Sequence, residues 1–274
     1  MRSDVKIGFI GGGNMASALI GGLLKLVDQP QQIHVVDLNP SGLQKLQQQF
    51  GVSTSEVMDQ RLRELDVIVF AVKPQNMREV VQNFAPFLTQ QLLLSVAAGI
   101  RASDISRWLG GYELIARAMP NTPAMLGLGM SGLYGLEALS AEQRQHTETI
   151  MQAVGKTVWV ENEGMIDAVT AVSGSGPAYV FYFIEAMQEA AMSLGFSAED
   201  ANTLVLQTVR GAAQLAVESN EPVSVLRERV TSKGGTTYAA LCSFEESQTK
   251  AIVTKAIKAA ADRGRELGDE FGRS

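Results

Sequence analysis

The sequence predicts an α/β domain built on a parallel sheet over residues 1–162, followed by an all-α domain over residues 163–274. Three observations carry this. From Val5 to Gly22 an apolar, β-branched run passes through closely spaced glycines into a helix-compatible segment. Strand-like and helix-like runs then alternate as far as about residue 162, the order expected of a doubly wound sheet. From Glu163 onward strand-like runs stop, and almost everything left has helical period.

The first strand, Val5 to Ile10, meets Gly11, Gly13 and Ala16 at the spacing G-x-G-x-x-A. Gly11 permits a tight turn out of a buried strand, and Gly13 lets the backbone approach a pyrophosphate. Ala16 lets the helix lie close to the sheet, and the helix N-terminus offers unpaired N–H groups to the anion. This is a Rossmann-like dinucleotide site. A second strand, Gln32 to Val36, ends at Asp37. An acid there either hydrogen-bonds the adenine ribose and disfavours a 2′-phosphate, or caps the next helix. No arginine follows Asp37 to grip a phosphate, so the sequence leans towards NADH.

Ser41 to Phe50 reads as a helix and Asp66 to Val72 as a strand covered on both faces. Ligands in open α/β sheets bind at the carboxyl ends of strands. Val72 to Gln75 should therefore line the cofactor cleft, with Ala71 a further cofactor-binding candidate beside Val72, Lys73 and Pro74, and with Lys73 either touching the cofactor or simply solvated. Met77 to Phe87 is a helix, and Leu92 to Val96 is a strand running into Ala97, Ala98 and Gly99. Small residues at that edge let the backbone approach a flat ring. Ser103 to Trp108 is a short helix. Tyr112 to Ala118 is a strand leading into the stiff loop that holds Asn121. A polar helix, Ala141 to Val154, and a strand, Thr157 to Val160, complete the domain.

In the helical part, Pro177 to Leu194 opens with proline and closes at Gly195, a start-and-stop pair. It is apolar nearly all round and should be buried, against a second subunit if not within the chain. Helices are expected over Ser197–Glu218, Pro222–Val230, Thr236–Glu245 and Gln248–Leu267. Between two of them lies Val230–Tyr238, VTSKGGTTY. This turn either presents N–H groups to a carboxylate or is a simple N-cap loop.

Composition narrows the function. Of 274 residues 46% are apolar and 19% charged, and the net charge is −6. That argues against a nucleic-acid or anionic-membrane partner. No run is long enough to span a bilayer, and the start of the chain has no secretory apolar region. The single cysteine, Cys242, excludes an internal disulfide and a cysteine-rich metal site. A cytoplasmic protein without a metal site fits. The two histidines, His34 and His146, read as bystanders, so the usual acid–base residue of dehydrogenases is missing.

Five segments together resemble the pyrroline-5-carboxylate reductases: Ile7–Ala16, Ala71–Gln75, Ala118–Ala124, Val172–Phe181 and Val230–Leu241. One position departs from the family pattern, Lys233 standing where proline is usual. The resemblance implies a Rossmann-like domain and an all-α C-terminal dimerisation domain of the 6-phosphogluconate dehydrogenase C-terminal-like kind. It implies a homodimer that assembles further, commonly to a decamer. It also implies the reaction, transfer of hydride from NADPH or NADH to the imine carbon of pyrroline-5-carboxylate to give L-proline. Thr237 would then contact the ring nitrogen as the catalytic residue, and Ser232, Gly234, Gly235 and Thr236 would hold the substrate carboxylate. Gly11, Gly13, Asn14 and Met15 would take the pyrophosphate. Lys73, Pro74, Ala97, Ala98 and Asn121 would line the nicotinamide side. An imine that arrives protonated needs positioning and a hydrogen-bond partner more than a strong acid, which suits the histidine inventory.

The β-hydroxyacid dehydrogenases share the overall plan but carry a lysine four residues after the second glycine of the turn preceding the long helix. That position is Val180 here, and no lysine occurs between Gly174 and Gly195. The remaining alternatives are a reductase of a related cyclic imine and a non-catalytic NAD(P)-binding regulatory protein.

Overall fold

Strands β1 (Ile7–Ile10), β2 (Ile33–Val36), β4 (Val67–Phe70) and β5 (Leu92–Ser95) are buried at every residue. Such runs form where a parallel sheet is covered on both faces. The computed structural model, which describes residues 4–273, places them in one sheet with β3 (Ser53–Ser55), β6 (Ile115–Met119), β7 (Gly129–Gly135) and β8 (Gly155–Trp159). The order is β3-β2-β1-β4-β5-β6-β7-β8. Neighbours from β3 to β6 are parallel, β6 and β7 are antiparallel, and β7 and β8 are parallel again.

Alternation along each strand divides the core in two. Phe9, Val67, Val69, Leu92 and Leu94 pack on one face with α1 (Asn14–Leu23), α2 (Pro40–Phe50) and α5 (Ala141–Gln152). Ile10, Ile68, Phe70 and Leu93 pack on the other with α3 (Met77–Phe84) and α4 (Ala102–Trp108). There Phe70 and Phe84 meet edge to face at 5.5 Å, a preferred aromatic geometry.

Several expectations need correction. Neither β3 nor β7 is signalled by the residue pattern, so the sheet carries an antiparallel strand that simple alternation does not predict. The helix expected over Met77–Phe87 stops at Phe84 and tightens to a 3₁₀ turn, Ala85–Phe87, around Pro86. After β8 come a short helix, α6 (Met165–Val169), and a π-helical turn, Thr170–Gly174. The remaining helices are α7 (Gly176–Ser193), α8 (Ala198–Glu218), α9 (Val223–Arg229), α10 (Thr236–Glu246) and α11 (Thr249–Arg273). The chain alone buries none of the residues of α7, the helix expected to be buried within the chain or against a second subunit: Phe181 is 61% exposed and Tyr182 74%. Helix α11 does not end at Leu267 but runs on through Gly268 to Arg273.

The described chain forms two compact units. One is built on the chain through Ser175 and again from Ala259 onward; the other is Gly176–Lys258. Among the described residues no helix is long and apolar enough to cross a membrane.

Candidate active site

The β1–α1 turn is shaped by Gly11. Its φ is +102°, and a Cβ there would stand 2.6 Å from the Ala71 carbonyl oxygen, so both conformation and space require glycine. Its N–H donates to the Val36 carbonyl at 2.8 Å, while Ala71 N–H donates to the Ile10 carbonyl at 2.8 Å. The ends of β1, β2 and β4 are thereby laced together. Gly13, the N-cap of α1, has open space where a side chain would be. Among the described residues no side chain caps α1, and its first turn holds no acid. Asn14 is exposed, Met15 half-buried and Ala16 buried against the sheet. Uncapped N–H groups facing open space fit the pyrophosphate of a dinucleotide.

Asp37 proves not to be the cap of α2. That role belongs to Asn39, whose side chain accepts from Gly42 N–H at 3.3 Å. The Asp37 carboxylate instead accepts from Gly12 N–H at 2.6 Å and from Asn39 N–H at 2.8 Å. It anchors the glycine turn directly, and a carboxylate has lone pairs beyond these two for hydroxyl donors.

At the ends of the next strands, Ala71 and Val72 are half-buried, Lys73 is exposed and Pro74 opens a 3₁₀ turn, Pro74–Asn76. Ala97 is buried and Ala98 exposed. Asn121 is tied on both sides: its amide nitrogen donates to the Ser173 carbonyl at 3.0 Å, and its oxygen accepts from Met130 N–H at 2.9 Å. It therefore pins the π-helical turn to the start of β7. π-Turns recur at functional sites, and two of the five signature segments meet at this one.

The other predicted residues lie in the unit Gly176–Lys258. Gly234 has φ +72°, and Gly235 N–H closes a turn onto the Ser232 carbonyl at 3.0 Å. A Cβ on Gly235 would collide with Ser232 Oγ at 2.5 Å. Gly235 then serves as the N-cap of α10, with neither a side-chain cap nor an acid in the first turn, which begins with Thr236 and Thr237. Such a helix start leaves N–H groups that suit an anion. Thr237 is half-buried, while Ser232 and Lys233 are exposed.

Neither histidine is presented as a catalyst. His34 lies in β2, 4% exposed, with Nδ1 at 2.8 Å from Ser53 Oγ. Burial lowers its pKa, reinforced by Arg61 and opposed by Asp59, which keeps it neutral. His146 is buried on α5.

Sequence reasoning missed Arg117. It is 2% exposed, and its Nη1 stands 3.3 Å from Glu163 Oε1. Burial lowers its pKa, against the pull of Glu163 and Asp167. The same Glu163 oxygen accepts the Ala102 N–H at the start of α4 at 2.5 Å. A lone arginine within an apolar strand was the available signal.

A family model for pyrroline-5-carboxylate reductase dimerisation matches residues 163–267, and one for coenzyme F420-dependent NADP oxidoreductases matches residues 6–99. The pyrroline-5-carboxylate reductase of Pseudomonas aeruginosa is 44% identical over 99% of this chain and 100% of its own. The chain belongs to the pyrroline-5-carboxylate reductase family. A solved reductase of this family from Coxiella burnetii aligns with TM-score 0.91 and 40% identity, covering 96% of this chain and 98% of that one. The Plasmodium falciparum enzyme, solved with NADP bound, aligns with TM-score 0.84 and 28% identity over 98% and 100%. A prephenate dehydrogenase from Aquifex aeolicus, 13% identical with TM-score 0.54, shares the fold alone. The expectations of a Rossmann-like domain with a helical dimerisation domain, and of an NAD(P)H-dependent reductase of this family, are borne out. The exposed apolar surface of α7 falls inside the dimerisation match, so the protein is an oligomer.

Proposed function

We propose that this chain reduces the imine carbon of pyrroline-5-carboxylate to give L-proline, with the substrate carboxylate at the uncapped N-terminus of α10 and the cofactor pyrophosphate at that of α1. The observation that carries the placement is the pair of glycine-shaped, acid-free helix starts. Bound NAD(P)H supplies the hydride. The protein's own part is positioning. Backbone N–H groups around Gly234, Gly235 and Thr236 orient the carboxylate, and the Thr237 hydroxyl holds the ring nitrogen. Ala97 and Ala98 leave room for a flat ring. No strong acid is needed, because the iminium already carries the proton that the amine product retains.

In this reading residues 1–162 serve as the dinucleotide-binding domain and residues 163–274 as the substrate-binding and dimerisation domain. The apolar α7 pairs with its counterpart in a homodimer, and such dimers assemble further, to a decamer in the fullest form, in the cytoplasm. The test is NAD(P)H oxidation at 340 nm with pyrroline-5-carboxylate, run in parallel with a six-membered cyclic imine carboxylate. Turnover at least as efficient on the five-membered ring is expected; activity only on the larger ring overturns the substrate assignment.

Cofactor choice follows from Asp37. A 2′-phosphate would face this carboxylate with no cation between Leu38 and Gly42. Repulsion between such charges at about 4 Å is worth about 1–4 kcal/mol. Asp37→Ser is therefore expected to raise the NADPH/NADH ratio of kcat/KM about tenfold. An unmoved ratio would confine Asp37 to anchoring Gly12.

A further inference from the structure

Helix α11 carries glycines at 264, 268 and 272, one per turn on a single face. Each costs helix stability, about 1 kcal/mol relative to alanine, and each is met by a charged side chain of the first unit. A Cβ on Gly264 would lie 3.7 Å from Asp167, one on Gly268 3.1 Å from Arg101, and one on Gly272 2.8 Å from the buried Asp104 carboxylate. Polar bonds fasten the same face. Arg101 pairs with Asp269 at 2.6 Å, and Arg107 donates to the Gly272 carbonyl at 2.5 Å, capping the helix end. Between these ties Phe271 reaches the β5–α4 loop. Gly99 there has φ +73°, and its missing side chain would stand 3.1 Å from the Phe271 ring and 3.5 Å from Leu267 Cβ.

We infer that the last two turns of α11 are a positioning element for the cofactor, with Phe271 and the glycine face holding the loop Ala97–Ile100 where the nicotinamide needs it. The inference rests on reading Ala97 and Ala98 as nicotinamide-side residues. The loop leaves β5 two residues before Ala97, and Ile100 and Ala102 lie in the same core cluster that Phe271 packs against. The atoms nearest the missing side chain of Gly99 belong to Phe271 and Leu267. Truncating the ring would let the loop relax outward without touching the glycine turn at Gly11–Gly13.

The test compares Phe271→Ala, Phe271→Leu and Asp269→Asn in the full chain. It measures KM and kcat with NADH, and equilibrium binding of ADP-ribose, which carries the adenine half of the cofactor and lacks nicotinamide. Phe271→Ala is expected to raise the KM for NADH about fivefold or more, because small displacements in a site are costly, with ADP-ribose affinity unchanged. Phe271→Leu should restore most of the loss. Asp269→Asn removes a half-exposed ion pair and should raise the same KM about twofold, so it decides the matter if Phe271→Ala fails to fold. Wild-type KM in Phe271→Ala, or in Asp269→Asn where Phe271→Ala fails to fold, or a parallel loss of ADP-ribose binding, would overturn the inference. Failure of the wild-type chain to bind ADP-ribose would instead overturn the placement of the cofactor.

Discussion

Replacing Thr237 by valine is expected to lower kcat at least tenfold while leaving the affinity for NAD(P)H near wild type. Valine keeps the β-branched shape, so the start of α10 and the turn at Gly234–Gly235 are retained. What disappears is one hydroxyl. A hydrogen bond to a charged partner is worth about 1.5–3 kcal/mol, which corresponds to roughly ten- to a hundredfold in rate. The loss falls on kcat if the hydroxyl acts most strongly as the ring nitrogen changes from planar iminium to amine. It falls on substrate KM if it binds both equally. Steady-state kinetics in both substrates, with cofactor binding measured separately, distinguish these. Unchanged kcat and unchanged substrate KM would remove Thr237 from the mechanism and leave the substrate held by backbone alone.

What the chain reveals in one dimension follows from how local each signal is. The β1–turn–α1 unit is legible because its strand, its glycines and its helix are adjacent in sequence, and each residue type has one physical reason to be there. The turn at Ser232–Gly235 is legible for the same reason. Strand β7 is not, because GMSGLYG shows neither an apolar run nor alternation. A Cβ on Gly132 would press into Val169 at 2.6 Å, so close packing against α6 has removed the side chains that would announce a strand. Gly268 misleads in the opposite direction. Its residue type alone suggests the end of a helix, whereas its place in the fold lets Arg101 lie against the helix backbone. The bond from Gly12 to Asp37 joins two turns 25 residues apart, and only the paired strands bring them together. Asp37 is therefore visible in the sequence as an acid after the second strand, but its role as an anchor for the glycine turn is not.

Removing Glu163 should give the largest loss of stability of any single substitution considered. Arg117 is fully inside the sheet, and Glu163 is its hydrogen-bonded counter-ion. Deleting one partner of a buried pair strands the other charge, which costs about 3–5 kcal/mol. Glu163→Ala also takes away the acceptor at the Ala102 N–H, the start of α4, and such a cap is worth about 1 kcal/mol. For a chain whose total stability is on the order of 5–15 kcal/mol, this is a large fraction. The remedy follows from the same physics. Pairing the change with Arg117→Met removes the stranded charge, and the double variant should recover most of the loss, since buried pairs contribute little net stability beyond an apolar replacement. Glu163→Gln should fall between the two, because it keeps an acceptor for Ala102 while losing the charge. Denaturant unfolding of the three variants measures this. Equal losses for Glu163→Ala and the double variant would show that the cap, and not the buried arginine, carries the effect.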